Sequence, residues 1–297
     1  MELWIPVTLA AAFCQNVRSA LQKQLKGTLS TWGATASRFV YAAPLAMLFL
    51  FGLAALRGHS IPVPGAAFFL FGIAGGVAQI IATGLLIHLF SKANFAAATA
   101  FTKTEPIQTA LIGIVLLGDV LTLPVAVAIL ISLVGVLLIS LPDDKAGGLK
   151  LDSKLWIGIA SGGLFGLSSV AFRGASLSLP EGDVILRAST TLAWVTLFQA
   201  IAVLVWLRLR EPGQTRMLAR AWPVASLVGI SGMLGSLAWF TAFTLENAAH
   251  VRALGQVEVV FTIGVSILAF REKVSPRDIA GVLLVAGGVL ALVLVSP

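Results

Sequence analysis

The stretch NFAAATAFTKTEPIQTALIGIVLLGDVLTLPVAVAILISLVGVLLISL, residues 94–141, decides the architecture, because it occurs twice. A shift of 153 residues lays it without a gap on residues 247–294, NAAHVRALGQVEVVFTIGVSILAFREKVSPRDIAGVLLVAGGVLALVL. Asn94 meets Asn247, Ala100 meets Ala253, Glu105 meets Glu258, Thr109 meets Thr262, and Gly135-Val136-Leu137 meets Gly288-Val289-Leu290. Chance supplies many Leu and Val coincidences between apolar segments, so the polar ones carry the weight. They are a Glu inside an apolar run, a Thr four residues on, and an acid (Asp119, Glu272) at the following break. Self-similarity of this length implies a chain built as two similar halves.

Composition names the solvent. Of 297 residues, 58% are hydrophobic and only 11% charged, where soluble domains carry about 25% charged residues. Runs of roughly 18 or more apolar residues recur along the chain, each long enough to span about 30 Å of hydrocarbon. Inside lipid each such backbone must satisfy its own hydrogen bonds, which means α-helix. The single cysteine, Cys14, excludes an internal disulfide framework and a cysteine-based metal cluster. No metal or other cofactor is expected. The net charge of +7 reads as loop lysines and arginines that orient a membrane protein, not as a nucleic-acid surface. Met1-Glu2 leads straight into an apolar segment without a basic n-region, so no cleavable signal peptide is expected.

Hydropathy and punctuation predict ten spans, at about 3–22, 31–56, 66–90, 95–117, 123–141, 155–177, 184–207, 222–245, 251–270 and 278–296. The polar, glycine-rich Pro142–Gly148 is the natural linker, leaving half-chains 1–142 and 148–297 with five spans each. Five is odd, so the second half enters the membrane from the opposite face. The expected fold is therefore an all-α membrane protein of ten transmembrane helices in a 5+5 inverted repeat, with a substrate site between the halves near the midplane.

Polar residues inside spans are expensive and by default mark function. In the first span Gln15, Arg18 and Gln22 form one stripe, with Asn16 beside it; the competing reading has Arg18 snorkelling to the interface. Arg38 and Arg187 lie near span starts and read as interface anchors or structural partners of carboxylates. Trp239, with Phe240 and Phe243, is deep enough to wall a pocket. The fourth span carries Thr102, Lys103, Glu105, Pro106, Gln108 and Thr109. Glu105 and Thr109 share a helical face, and Lys103 is expected on another. Pro106 is expected to free the carbonyl of Thr102 and kink the helix. The ninth span repeats the Glu258–Thr262 pair, with Gln256 in place of Lys103. At about 1.5 Å per residue, Arg18 and Lys103 sit at comparable depths and are expected to face each other across a cavity. A basic pair there suits a substrate carboxylate, and Glu105 suits an amino group or a transported proton. The competing reading makes both Glu residues structural ties. The expected substrate-binding set is Gln15, Asn16, Arg18, Lys103, Glu105, Gln108, Trp239, Gln256 and Glu258.

These residues resemble a known family, the EamA-type branch of the drug/metabolite transporter (DMT) superfamily. The resemblance covers nearly the whole chain and rests on Glu105-Pro106 followed by Gly118-Asp119-Val120-Leu121-Thr122, and on Glu258 followed by Arg271-Glu272-Lys273-Val274-Ser275-Pro276. Both are similar to the family's E-P…G-E-x-L-T-P signature, with Asp119 for Glu, Val259 for Pro and Arg271 for Gly. The resemblance implies ten helices in an inverted repeat, a central cavity, and export or exchange of small metabolites, amino acids among them, across a bacterial inner membrane. Expected partners are a small-molecule substrate, the lipid bilayer and, as candidate coupling ion, protons, in a monomer or weak homodimer.

Orientation divides the two arguments. Basic residues crowd the side reached after the first span, from Lys23 and Lys26 through the run Arg208–Arg220 to Arg271–Arg277. The other side offers little beyond Arg57 and Arg252, with Arg173 and Arg187 near span ends. Positive-inside counting puts both termini outside, whereas the resemblance implies cytoplasmic termini. We side with the charge count.

No G-x-x-x-x-G-K-[ST] loop is present, so the expected transport is secondary. An intramembrane enzyme is the rival class, but His59, His88 and His250 are scattered and no H-E-x-x-H occurs. A non-transporting receptor or scaffold would not need polar stripes in several spans.

Overall fold

The computed structural model describes residues 2–92, 102–140, 153–261 and 276–295. The Pro142–Gly148 linker, Asn94, Ala100, Thr262 and the Arg271–Ser275 break, Glu272 included, lie outside them. Among the described residues every regular element is helical. The chain runs through α1 (Trp4–Leu25), α2 (Thr31–Val40), α3 (Ala42–Arg57), α4 (Ala66–Phe90), α5 (Glu105–Leu117) and α6 (Leu123–Ser140). It continues through α7 (Ser153–Leu177), α8 (Val184–Arg210), the short α9 (Gln214–Arg220), α10 (Trp222–Leu245) and α11 (Ala248–Leu254). A 3-10 turn (Gly255–Val257) follows, then helical residues 258–261 and finally α12 (Pro276–Val295). Five stretches are long and apolar enough to cross a bilayer: Thr31–Arg57, Ala66–Phe90, Ser153–Leu177, Val184–Arg210 and Trp222–Leu245. Glu105–Leu117, Leu123–Leu138 and Ile279–Val295 are shorter apolar helices. This is a multi-pass helical membrane protein.

Local sequence sets the ends. Ser30 caps α2 by accepting from the Gly33 amide at 2.9 Å, and Asp183 caps α8 by accepting from the Leu186 amide at 2.8 Å. Gly58 and Gly118 close α3 and α5 in the left-handed region, at φ 64° and 68°. Between α2 and α3 the helix breaks at Tyr41. Pro44 explains it, having no N–H for the carbonyl of Val40. The run Arg208–Arg220, which reads as pure connection in the sequence, contains α9.

Side chains are distributed as lipid requires. Leu48, Phe51, Leu70, Val115 and Leu209 face outward, while serines, threonines and glycines are buried. The most extensive helix pairs are α4 with α7, α6 with α12 and α1 with α10. Each pair joins one half-chain to the other. Without a hydrophobic drive between helices in lipid, such pairs depend on close approach at small residues. A Cβ on Gly135 of α6 would lie 2.6 Å from the Gly281 carbonyl and 2.7 Å from the Val285 amide of α12. A Cβ on Gly288 would in turn strike Ser132 and come within 2.9 Å of the Ala128 carbonyl. The 153-residue shift exchanges these two sets of contacts residue for residue.

Candidate functional site

Two chain breaks position the site. Residues 102–104 form turns and α5 begins at Glu105, while the 3-10 turn Gly255–Val257 interrupts the later segment before Glu258. These breaks are related by the 153-residue shift, and each delivers a Glu at the start of the helical stretch that follows. Helix termini held inside a bundle offer polar backbone where lipid is excluded.

Proximity to α7 fixes the first break. A Cβ on Gly162 would lie 2.6 Å from the Thr102 carbonyl, and one on Gly166 would lie 2.7 Å from Thr109 Oγ1. Only glycine lets α5 lie this close. Trp239 fixes the second break, its ring resting on the main chain of Gly255, where a Cβ would meet Cη2 at 2.5 Å.

The two carboxylates pair crosswise between the halves. Lys103 Nζ lies 3.1 Å from Glu258 Oε2, with side-chain exposures of 8% and 4%. Gln15 Nε2 donates to the same Oε2 at 2.8 Å, and Trp239 Nε1 donates to Gln15 Oε1 at 3.1 Å. Arg252 Nε donates to Ser169 Oγ at 2.7 Å and lies 2.8 Å from Glu105 Oε1. Glu105 Oε1 receives no aligned hydrogen bond, so that contact is one of charge. The Arg252 guanidinium also covers the rings of Trp239 at 4.4 Å and Phe243 at 5.1 Å, contacts that strengthen when water is excluded. The cavity enclosed by these groups measures ≈ 10 Å³, about the room for one water.

Of the nine residues expected from the sequence, Gln15, Lys103, Glu105, Trp239, Gln256 and Glu258 line this cavity, joined by Pro106, Arg252 and Gly255. Gln256 Nε2 donates to the Lys103 carbonyl at 3.4 Å. Asn16 is buried outside the lining. Gln108 turns to α7, donating to the Ile159 carbonyl at 3.3 Å. Arg18 does not face Lys103 across the cavity. It is 2% exposed, packs beside Gly232, and keeps Nε and Nη1 without a partner, close enough to feel the charges of Glu258 and Arg252. That also excludes snorkelling to the interface.

Four further expectations are corrected. Lys103 does not point away from Glu105, because residues 102–104 are turns and helical periodicity does not apply to them. Pro106 does not free the Thr102 carbonyl by kinking a continuous helix; it sits in the first turn of α5, and that carbonyl accepts from the Glu105 amide at 3.1 Å. Arg38 is not an interface anchor, being buried, and among the described residues it pairs with no carboxylate but donates to Thr83 Oγ1 at 3.0 Å. Arg252, read as a loop cation, is a buried member of the site. Its repeat counterpart is Thr99, so the repeat gave no sign of it. Its four-residue spacing from Gln256, on one helical face, was the available signal.

Buried helix ends, inward charges and small-residue packing between half-chains define a polytopic membrane protein with a polar interior site. Sequence comparison gives the family: a model of the EamA-like transporter family matches residues 2–141 and again 154–294, and the chain belongs to that family. No curated protein matches the sequence significantly. A solved structure described only as "Crystal structure of protein" is similar in fold, with a TM-score of 0.74 over 98% of this chain and 96% of that one, at 18% identity.

Proposed function

We propose that the protein is a secondary transporter of a small carboxylate-bearing metabolite, amino acids included, working by alternating access in a 5+5 inverted repeat with half-chains 1–142 and 148–297. The observation that carries the reading is the crosswise pairing of Lys103 with Glu258 and Arg252 with Glu105 around one cavity. Each half supplies a base to the other half's acid, so these pairs tie the halves together until something competes for them. A substrate carboxylate competes for Lys103 and Arg252, and a substrate amine or a proton competes for Glu105 and Glu258.

Charge supports an anionic group on the substrate. Among the described residues the buried cations Arg18, Arg38, Lys103 and Arg252 outnumber the carboxylates beside them, buried Glu258 and part-buried Glu105, and uncompensated buried charge is costly. Repeat symmetry supports the rocking motion. Lys103 and Gln256, equivalent under the 153-residue shift, touch each other, as residues near a twofold axis do. The exchanged α6–α12 contacts fit the same axis.

Counterflow in liposomes of purified protein tests the reading: carboxylates loaded inside should drive uptake of labelled substrate, and absence of counterflow across a panel of amino and carboxylic acids would overturn it. A charge-assisted contact contributes about 1.5–3 kcal/mol, so Lys103→Met should weaken apparent affinity about ten- to a hundredfold per folded molecule. If Glu105 carries the coupling proton, Glu105→Gln abolishes uptake driven by a pH gradient and spares exchange. If it is a structural tie, Glu105→Gln lowers thermal stability with exchange per folded molecule little changed.

A further inference from the structure

A second polar cavity lies apart from the first, enclosed by α2, α3, α4, α8 and α10 and measuring ≈ 10 Å³. Arg38, Gln79, Thr196, Gln199 and Ser236 supply its polar lining. Arg38 is 4% exposed. Its hydrogen bond runs from Nη1 to Thr83 Oγ1, and its guanidinium lies 5.2 Å from the Phe39 ring. Among the described residues no carboxylate pairs with it.

Two neighbouring hydroxyls and one neighbouring amide keep donors that no acceptor among the described residues takes up. Hydroxyls within these helices ordinarily bond back to the carbonyl one turn earlier, as Thr190, Thr191, Thr241 and Thr244 do. Thr196 and Ser236, both buried, make no such bond although they face the cavity. Gln199 Nε2 donates to Gln79 Oε1 at 2.9 Å and to the Gly76 carbonyl at 3.1 Å. That leaves the Gln79 amide N–H groups uncommitted. One guanidinium, two hydroxyls and an amide thus converge on a space of single-ion size, with no negative group among them.

A cation would be repelled there, and the space is too small for a metabolite. Water alone would leave a buried charge uncompensated, which is costly. We propose that this cavity is a binding site for a small monovalent inorganic anion of halide size, chloride in practice, anchored by Arg38 and held by Gln79, Thr196 and Ser236. The site also touches the central charge cluster. A Cβ on Gly232 would lie 3.4 Å from Arg18 Cδ and 3.6 Å from Arg38 Cγ, so the two arginine stems flank one glycine of α10. An anion on Arg38 relieves the repulsion between these arginines and steadies Arg18 beside Glu258. The proposal does not depend on the transport reading, since it concerns binding alone.

Thermal unfolding of the purified protein in detergent tests it, in sodium chloride, sodium bromide and sodium gluconate at equal ionic strength and pH. Chloride and bromide should raise the apparent Tm saturably over gluconate. Arg38→Gln should abolish the rise, and Lys103→Met should keep it. Ser236→Ala and Thr196→Val should each raise the half-saturating halide concentration about three- to tenfold, which preserves the test if Arg38→Gln does not fold. Equal Tm in all three salts, or a rise that never saturates, would overturn the proposal, and so would a saturable rise that survives Arg38→Gln or is lost in Lys103→Met. Unchanged half-saturation in both hydroxyl variants would overturn it as well.

Discussion

Glu258→Gln should destabilise the protein more than Lys103→Met, although both remove the same 3.1 Å ion pair. The partners left behind differ. When Lys103 is removed, Glu258 keeps the amide of Gln15 at 2.8 Å and the field of Arg18. The loss is then one charge-assisted contact, about 1.5 kcal/mol at the low end. When Glu258 is neutralised, Lys103 and Arg18 stay buried without the anion nearest them, and the one carboxylate left in the cavity, Glu105, already faces Arg252. Orphaning a buried charge costs about 3–5 kcal/mol, and the lower figure applies because glutamine still offers a neutral acceptor. The gap of about 1.5 kcal/mol corresponds to about 2–3 °C in Tm for a chain of this size. Apparent Tm of purified variants in one detergent, read in parallel, measures it. The double variant should lie above the sum of the singles, because removing Lys103 also removes part of the orphaned charge. A Lys103→Met protein as unstable as Glu258→Gln would refute the claim that Glu258 is the hub of the buried charges.

Gly162→Ala should cost about 1–3 kcal/mol, since its Cβ would meet the Thr102 carbonyl at 2.6 Å; lowered Tm together with lowered exchange per folded molecule checks that the packing of α7 sets the break before Glu105. On the face carrying the α5–α6 loop, burial raises the Asp119 carboxyl above its ordinary 3.8, so its ionised form costs stability at neutral pH. Asp119→Asn should match or exceed the parent Tm at pH 7, with the gap closing as pH falls toward 3.8. Burial would also raise the Glu246 carboxyl, but the His250 ring and the Asn247 amide outweigh it and hold the acid below its ordinary 4.5. Its stabilisation is therefore present above pH 4.5 and lost as pH falls through the lowered value, so the Tm deficit of Glu246→Gln at pH 7 should shrink in acid. For orientation, Arg252 now drops out of the loop count because it is buried, which enlarges the bias toward the side holding Arg208–Arg220. Pro212→Cys, with Cys14→Ser, should resist an impermeant thiol reagent in intact cells, and rapid labelling would place that loop outside.

Composition and the 153-residue shift were enough to establish a helical membrane chain in two related parts, because both depend on sums and spacings that survive any detail of packing. They also singled out Glu105 and Glu258, since a carboxylate inside an apolar run stands out whatever surrounds it. Helix ends at Ser30, Gly58, Gly118 and Asp183 follow chemistry that is local to each. Partner choice is not local. Whether Lys103 faces Glu105 or Glu258 depends on how residues 102–104 depart from the helix, and glycines on another helix set that departure. Arg252 looked like a loop cation because burial is a property of neighbours, here Trp239, Phe243 and Ser169 from two other helices. Arg18 and Arg38 carried no mark of their opposition over Gly232. Sequence fixes which groups must be satisfied inside the membrane, and only the packing of helices remote in the chain decides which of them meet.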